Sequence, residues 1–388
     1  MPSLSRVLGM KRRITILTEI IAPYRIPVFN ALARHADVEL HVIFLARTDL
    51  SLRQWRLYES EIHFSYEVLP SWRGRIGPHN ILLNARVQQA LAQSRPDAVV
   101  CGGYNYLASW LALRWAGRNG VQFLLWSEST ASDQRRQHSF VEGLKKIFLR
   151  RCDAFVVPGK SALHYLETFG VARRNIFVAR NAVDSDLFSR LGCDARNNAV
   201  QLRRQLALPE RYFLYVGRLV REKGLLDLLA AYRLLKEELR REIGLVIAGD
   251  GVLRPELESA ARDVYPGTIY FAGFVHREEL PIYYGLAECL VMPTHTDTWG
   301  LVVNEAMACG LPVICTSAAG CAQDLVRDNG MLTEPGDVQQ LHQAMSGLAC
   351  DDGLRRDMSE RSATMIREYS PEAWAAGMAE AALSVATS

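Results

Sequence analysis

The chain has 388 residues, 49% of them hydrophobic and 22% charged; it is too long for one ordinary core and apolar enough for two folded domains. Its eight cysteines are scattered, with no CxxC pair and no clustering with histidine, which argues against a disulfide framework or a zinc site and for free thiols in a reducing compartment. The net charge of +3 hides an asymmetry: residues 1–190 carry 26 Lys+Arg against 15 Asp+Glu, a net of +11, whereas residues 191–388 carry 19 against 27, a net of −8, so one half is suited to an anionic partner.

In chain order, a basic N-terminus leads into "RITILTE", too short and too acidic at Glu19 for a signal peptide but a good first strand. No apolar run is long enough to span a bilayer, and the expected location is cytoplasmic. "IPVFNALARHA" and "VELHVIFLA" follow, then a long polar and aromatic stretch to about residue 80. Next come "NILLNARVQQALAQS", "PDAVVCGG", "YLASWLALRWAGRNG", "VQFLLWS", "SFVEGLKKIFLRRC", "DAFVVPG", "KSALHYLETFG" and "NIFVARN". Short continuous apolar runs between amphipathic segments predict parallel strands with crossover helices. "LGCDARNNAVQLRRQLALP" breaks the alternation, and the pattern restarts at "YFLYVGR". The expected division is an N-terminal Rossmann-like domain over 1–192, a linker over 193–209, a C-terminal domain over 210–365, and a final helix over 366–388 that could pack against either domain, the return to the N-terminal one included. Ligands of such α/β sheets bind at the carboxyl ends of the strands.

Three stretches carry candidate chemistry. In "YVGRLVREKG" a strand ends at Gly217, and Arg218 and Lys223 follow before a helix. Two cations beside free helix N–H groups suit a phosphate; the plainer alternative is a solvated loop in which Arg221 and Glu222 pair. In "VIAGDGVLR", Gly249 and Gly251 make a tight strand-to-loop turn, but the third glycine of a dinucleotide fingerprint is missing. In "MPTHTDTWGLVVNEAMACGLPVI", Asp297 precedes a helix that starts at Gly300, and Glu305 lies about 7 Å along that helix at about 1.5 Å per residue. Two acids flanking a helix N-terminus suit a ligand with hydroxyls beside a phosphate. Alternatively, Asp297 caps the helix and Glu305 is a surface residue.

With those residues in place, the chain resembles the retaining glycosyltransferases of family 4 with the GT-B fold. Asp297 and Glu305 look like that family's two-acid E-x7-E signature, and "RNAVDSDLF", "VGRLVREKG", "AGDG", "FAGFV", "MPTHTDTWG", "AAGCAQDLV" and "GMLTEPGD" appear in the family's order. The resemblance implies two Rossmann-like, doubly wound α/β domains facing a central cleft, with a nucleotide-sugar held mainly by the C-terminal one. It also implies that Arg218 and Lys223 hold the donor diphosphate, Glu305 the ribose hydroxyls and Asp297 the transferred sugar. Gly217, Gly249, Gly251, Phe274, Val275, Trp299, Gly300 and Leu301 would line the donor site. No DxD motif stands at a strand-end loop, so neither a metal nor a cofactor is expected.

The chain departs from the family in three places. The first acid is Asp297, one methylene shorter than the commoner glutamate. The loop after the first strand reads "IAPYRIP", so Tyr24 and Arg25 replace paired glycines. "FLLWSEST" sets Ser127 and Glu128 where relatives carry a histidine. Tyr24, Arg25, Ser127 and Glu128 are therefore the acceptor-side candidates.

The helix "FVEGLKKIFLRRC" is expected to place Phe140, Leu144, Ile147 and Phe148 on one face, with Lys145, Lys146, Arg150 and Arg151 beside it. "LRQWRLY" and "SWRGRIG" add Trp55, Trp72 and four arginines. Such a surface suits an anionic membrane face or a lipid-diphosphate acceptor; no nucleic-acid motif is present. The expectation is a cytoplasmic, peripherally membrane-bound retaining glycosyltransferase moving a sugar from a UDP or GDP donor to a lipid-linked or surface glycan. The alternatives are a GT-B phosphorylase, a nucleotide-sugar epimerase, or a non-catalytic binding module.

Overall fold

A computed structural model describes residues 11–48, 55–76, 79–133, 139–262 and 267–384. Arg53 and the side chains of Arg75 and Phe140 lie outside the described residues. The chain divides into two compact units, Met1–Asn181 with Pro371–Ser388, and Ala182–Ser370.

In the first unit, strands β1 (Arg12–Thr18), β2 (Val38–Phe44) and β3 (Ser65–Val68) precede an antiparallel hairpin of β4 (Ser71–Ile76) and β5 (His79–Asn84). β6 (Ala98–Cys101), β7 (Gln122–Trp126), β8 (Ala154–Val157) and β9 (Ile176–Val178) follow. Among the described residues the main sheet has the order β3-β2-β1-β6-β7-β8-β9 and is parallel throughout. Its strands read as unbroken apolar runs because helices cover both faces. "NILLN" forms β5, pairing across the hairpin with Trp72 opposite Leu83. The last helix, Pro371–Ser384, returns to this unit: its Trp374 is fully buried, 5.7 Å from Phe29 and 5.4 Å from Trp126 between ring centres.

In the second unit, the stretch 193–209 expected to be a linker is largely helical. Helix Ser185–Asn197 starts on Asp184, whose carboxylate accepts the Leu187 N–H at 3.0 Å, and Ala199–Leu206 continues after a break at Asn198. The reason is burial: Phe188 and Ala195 pack into the core of this unit, with Leu202 and Leu206 lying against it. β10 (Tyr212–Val216), β11 (Gly244–Ala248), β12 (Ile269–Gly273), β13 (Cys289–Met292), β14 (Val313–Thr316) and β15 (Gly330–Thr333) form a parallel sheet, order β12-β11-β10-β13-β14-β15. One apolar cluster centred on Leu214, Leu290, Val303 and Met307 fills one face; another around Phe213, Leu228, Val291 and Met345 fills the other.

In both sheets the chain enters in the middle, winds outward, then crosses back to wind the other way. The direction reverses between β1 and β6, and between β10 and β13. Loops leaving neighbouring strands at such a reversal diverge and leave a crevice at the carboxyl edge. Arg25 follows β1, Lys223 follows β10 and Asp297 follows β13.

Candidate active site

The site in the second unit is built from two loops that are laced together. After β10 the chain turns at Gly217, whose N–H donates to Ala248 O at 3.0 Å, and the Leu219 N–H donates to Asp250 O at 2.9 Å. Gly249 (φ 149°) lies so close that a Cβ on it would sit 1.9 Å from Gly217 O. Gly224 (φ 66°) is as constrained, since its Cβ would fall 1.9 Å from Pro293 O in the loop after β13. Only glycine tolerates both the backbone angle and the approach. The His295 N–H and the Thr294 hydroxyl both donate to Glu222 O, at 2.9 and 3.0 Å.

This lacing brings Lys223 to Asp297. The Lys223 ammonium donates to Asp297 Oδ2, both side chains being more than four-fifths buried, and Asp297 Oδ1 accepts the Trp299 N–H at 3.3 Å. Asp297 does not cap the following helix, Leu301–Ala308. The residue at its start, Gly300, supplies no side-chain cap, so the helix N-terminus keeps its partial positive charge beside the pair. Arg218 is exposed at the same edge; its carbonyl accepts the buried Tyr215 hydroxyl at 3.0 Å, which fixes the loop from below. Arg221 pairs with Glu256 at 3.3 Å.

Glu305 is not a surface residue. Its Oε2 accepts the hydroxyl of fully buried Tyr284 at 2.7 Å. Burial pushes its carboxyl up to about 7, against the opposing pull of the Tyr284 hydrogen bond and of Arg277. Phe274 is 39% exposed and stands edge-on to His276 at 5.1 Å, offering an open aromatic surface; Val275, Leu301 and Gly251 are partly exposed. Trp299 departs from expectation: its ring is buried and its indole N–H donates to Asn304 Oδ1 at 2.9 Å, so it supports the helix from beneath and presents no face to a ligand. Sequence reading also missed the His295–Asp227 contact at 2.5 Å, which clamps the loop after β13 to the helix Leu225–Leu234.

The first unit carries its own cluster. The Arg25 guanidinium donates to Asn181 Oδ1 at 2.8 Å and to Glu128 Oε1, and Asn181 Nδ2 donates to that same oxygen at 3.0 Å. Arg25 also lies 4.4 Å from the Trp126 ring centre and 5.2 Å from that of Tyr24. Its charge is thus matched internally by Glu128. Ser127 is buried, its N–H extending the sheet to Val156 O. The helix Ser139–Leu149 also departs from expectation. Phe148 and Lys145 point inward, with the Lys145 ammonium on the Tyr165 hydroxyl at 2.6 Å, whereas Leu144 and Ile147 are exposed. Among the described residues no helix is long and apolar enough to cross a membrane.

With this geometry in view, comparison with known proteins is informative. The family model described as Glycosyltransferase Family 4 matches residues 28–187, and that described as Glycosyl transferases group 1 matches residues 201–365. The chain is similar to O-antigen chain mannosyltransferase B of Escherichia coli, 32% identical over 166 residues that make up 42% of each chain. It also resembles the solved structure of Anabaena HepE in complex with UDP and glucose (TM-score 0.75, 17% identity, 95% of this chain and 98% of that one). A further likeness is to lipopolysaccharide outer core galactosyltransferase WaaB (TM-score 0.68, 15% identity, 96% and 99% covered). The chain spans about half the length of the curated relatives it matches.

Proposed function

The chain belongs to the glycosyltransferases, a Family 4 domain followed by a group 1 domain on the GT-B fold, and we propose that it moves a sugar from a UDP or GDP donor, with retention and without a metal, to a lipid-carried surface glycan. The observation that carries this reading is the Lys223–Asp297 pair beside the uncapped start of the helix that carries Glu305, at the reversal point of the second sheet where Arg218 follows β10.

Each group has a task that its chemistry fits. Breaking a sugar–diphosphate bond develops negative charge on the departing diphosphate. Arg218, Lys223 and the free N–H groups ahead of Leu301–Ala308 are fixed donors aimed at that charge, and they lower the barrier because it grows in the transition state. Asp297 holds Lys223 in place and keeps lone pairs for hydroxyls of the transferred sugar. Glu305, anchored through one oxygen by Tyr284, offers the other to the ribose hydroxyls. Phe274 and Val275 supply an apolar surface for the base. The names of the similar proteins, an O-antigen mannosyltransferase and a lipopolysaccharide galactosyltransferase, support a surface-glycan acceptor.

The test is a thermal-shift panel of UDP, GDP and ADP sugars, followed by assay of nucleoside-diphosphate release with membranes as acceptor source. One UDP or GDP sugar is expected to raise the melting temperature, since ligand at about 100 times its Kd adds about 2.7 kcal/mol. Release should require the membranes. Arg218→Ala and Glu305→Ala should each lower transfer at least a hundredfold; transfer at the wild-type rate in either variant refutes the assignment.

A further inference from the structure

The helix Ser139–Leu149 is apolar on two sides. Inward, Phe148 packs against Trp110 at 5.0 Å and Phe123 at 5.9 Å, and Leu149 is buried beside it. Outward, Val141, Leu144 and Ile147 are 50%, 39% and 46% exposed. Spaced by three, they form a ridge that the fold of the unit leaves in solvent. Exposed Lys146, Arg150 and Arg151 adjoin the ridge, and none of them has an ion-pair partner among the described residues.

The neighbouring helix Leu107–Asn119 continues the surface. Trp110, which meets Phe148, sits one turn after Leu107, itself 56% exposed. Arg114 and Arg118 are exposed on this helix, which contains no acidic residue; Glu142 is the one acid in the two helices. An apolar ridge bordered by unpaired cations, in the half of the chain with a net charge of +11, has a specific complement. Apolar side chains enter the headgroup–acyl boundary while cations meet lipid phosphates, and the two contributions add. An ordinary protein partner would need acids placed opposite Lys146, Arg150 and Arg151 around an apolar centre; an anionic bilayer supplies both features over its whole surface.

We propose that the face made by the helices Ser139–Leu149 and Leu107–Asn119 rests on an anionic lipid bilayer, with Leu144 and Ile147 inserted and Lys146, Arg150 and Arg151 on lipid phosphates. The inference rests on the lipid-carried acceptor of the proposed function, which requires the enzyme to work at a membrane, but it is tested separately.

The full chain is sedimented with vesicles of phosphatidylcholine alone and of phosphatidylcholine with phosphatidylglycerol. It binds the second and not the first, and added salt releases it. The double variant L144E/I147E and the triple variant K146E/R150E/R151E each weaken vesicle binding at least tenfold, while the melting temperature and its rise with UDP stay at wild-type values. All five positions are exposed, so folding is preserved. Absence of binding to anionic vesicles overturns the proposal, as does retention of binding in L144E/I147E, which would leave charge alone at work. A wild-type dimer on gel filtration that L144E/I147E dissociates, without vesicle binding, also overturns it in favour of a second copy on this face. Nucleotide binding without vesicle binding refutes the membrane face alone; vesicle binding without any nucleotide effect refutes the transferase reading alone.

Discussion

On the proposed reading, Glu305 couples donor binding to pH. A carboxyl raised to about 7 is partly protonated at neutral pH, and only the ionised form accepts hydrogen bonds from two ribose hydroxyls at full strength. The sign follows directly. As pH rises through 7 the site gains its acceptor, so UDP affinity should rise several-fold between about pH 6 and 8, each unit of pKa difference being worth about 1.4 kcal/mol. The folded state pays for this with stability, because a carboxyl raised from 4.5 binds its proton more tightly when folded; that contribution is complete below about 4.5 and lost as pH rises through about 7. Tyr284 donates to the carboxylate and opposes the rise, so Tyr284→Phe should move the midpoint of the UDP-affinity profile to higher pH, whereas Glu305→Gln should flatten it. Calorimetric titration with UDP across this range checks both, and an unshifted midpoint in Tyr284→Phe removes Tyr284 from the site. The placement of the two acids, one on a loop and one on the helix after it, was legible in the sequence because loop and helix adjoin along the chain. Tyr284 was not, because it lies 21 positions away in the helix Leu280–Leu286, whose composition reads as core. Trp299 misled for the converse reason: the Cys321 N–H donates to its carbonyl at 3.0 Å and turns an apparent loop residue under the helix.

At the scale of elements, the site depends on how two loops meet, and Gly224 is the joint. An added methyl would have to displace Pro293 O, and the positive φ would strain any other residue in addition. Gly224→Ala should therefore cost about 2–3 kcal/mol. It should also reduce the thermal shift produced by UDP, because moving the loop 221–224 away from the loop after β13 separates Lys223 from Asp297. Unfolding curves with and without UDP distinguish the two effects; a loss of stability with the full nucleotide shift would mean that the lacing is structural only. Strands such as "YFLYVGR" and "CLVMPTH" were readable because buried parallel strands are unbroken apolar runs. The helices at 185–206 were not, because their apolar positions are few and their polar faces look like a linker until the partners Leu280–Leu286 and Leu301–Ala308 are known. The helix Ser139–Leu149 shows the same limit: periodicity reveals an apolar side but cannot reveal which apolar residues the sheet leaves uncovered.

For the whole molecule, the order of units along the chain is not the order in which they close. The first unit contains the last helix, so its core is completed only after the second unit has been made. Trp374 is the pin: fully buried, packed against Phe29 and Trp126, with its indole nitrogen lacking a hydrogen-bond partner among the described residues. The sequence showed that this alanine-rich helix with one large aromatic needs an apolar surface to cover but left open which domain supplies it, because the wall it covers comes from strands and helices some 200 to 350 residues earlier. Trp374→Ala should cost the first unit about 3–5 kcal/mol through the cavity it opens. Trp374→Phe loses less area and also removes an unsatisfied buried N–H, so the two changes offset and its cost should be well under half that of alanine. Because the two units need not unfold together, the expected signature is a transition that splits. In Trp374→Ala the first unit melts early, while the second keeps its UDP-dependent transition, since every residue proposed for the donor side, from Gly217 to Glu305, lies within Ala182–Ser370. Differential scanning calorimetry with and without UDP reads this directly. A single transition that shifts as one in both variants would mean that the units are energetically fused and that the closing helix stabilises the donor site as much as its own sheet.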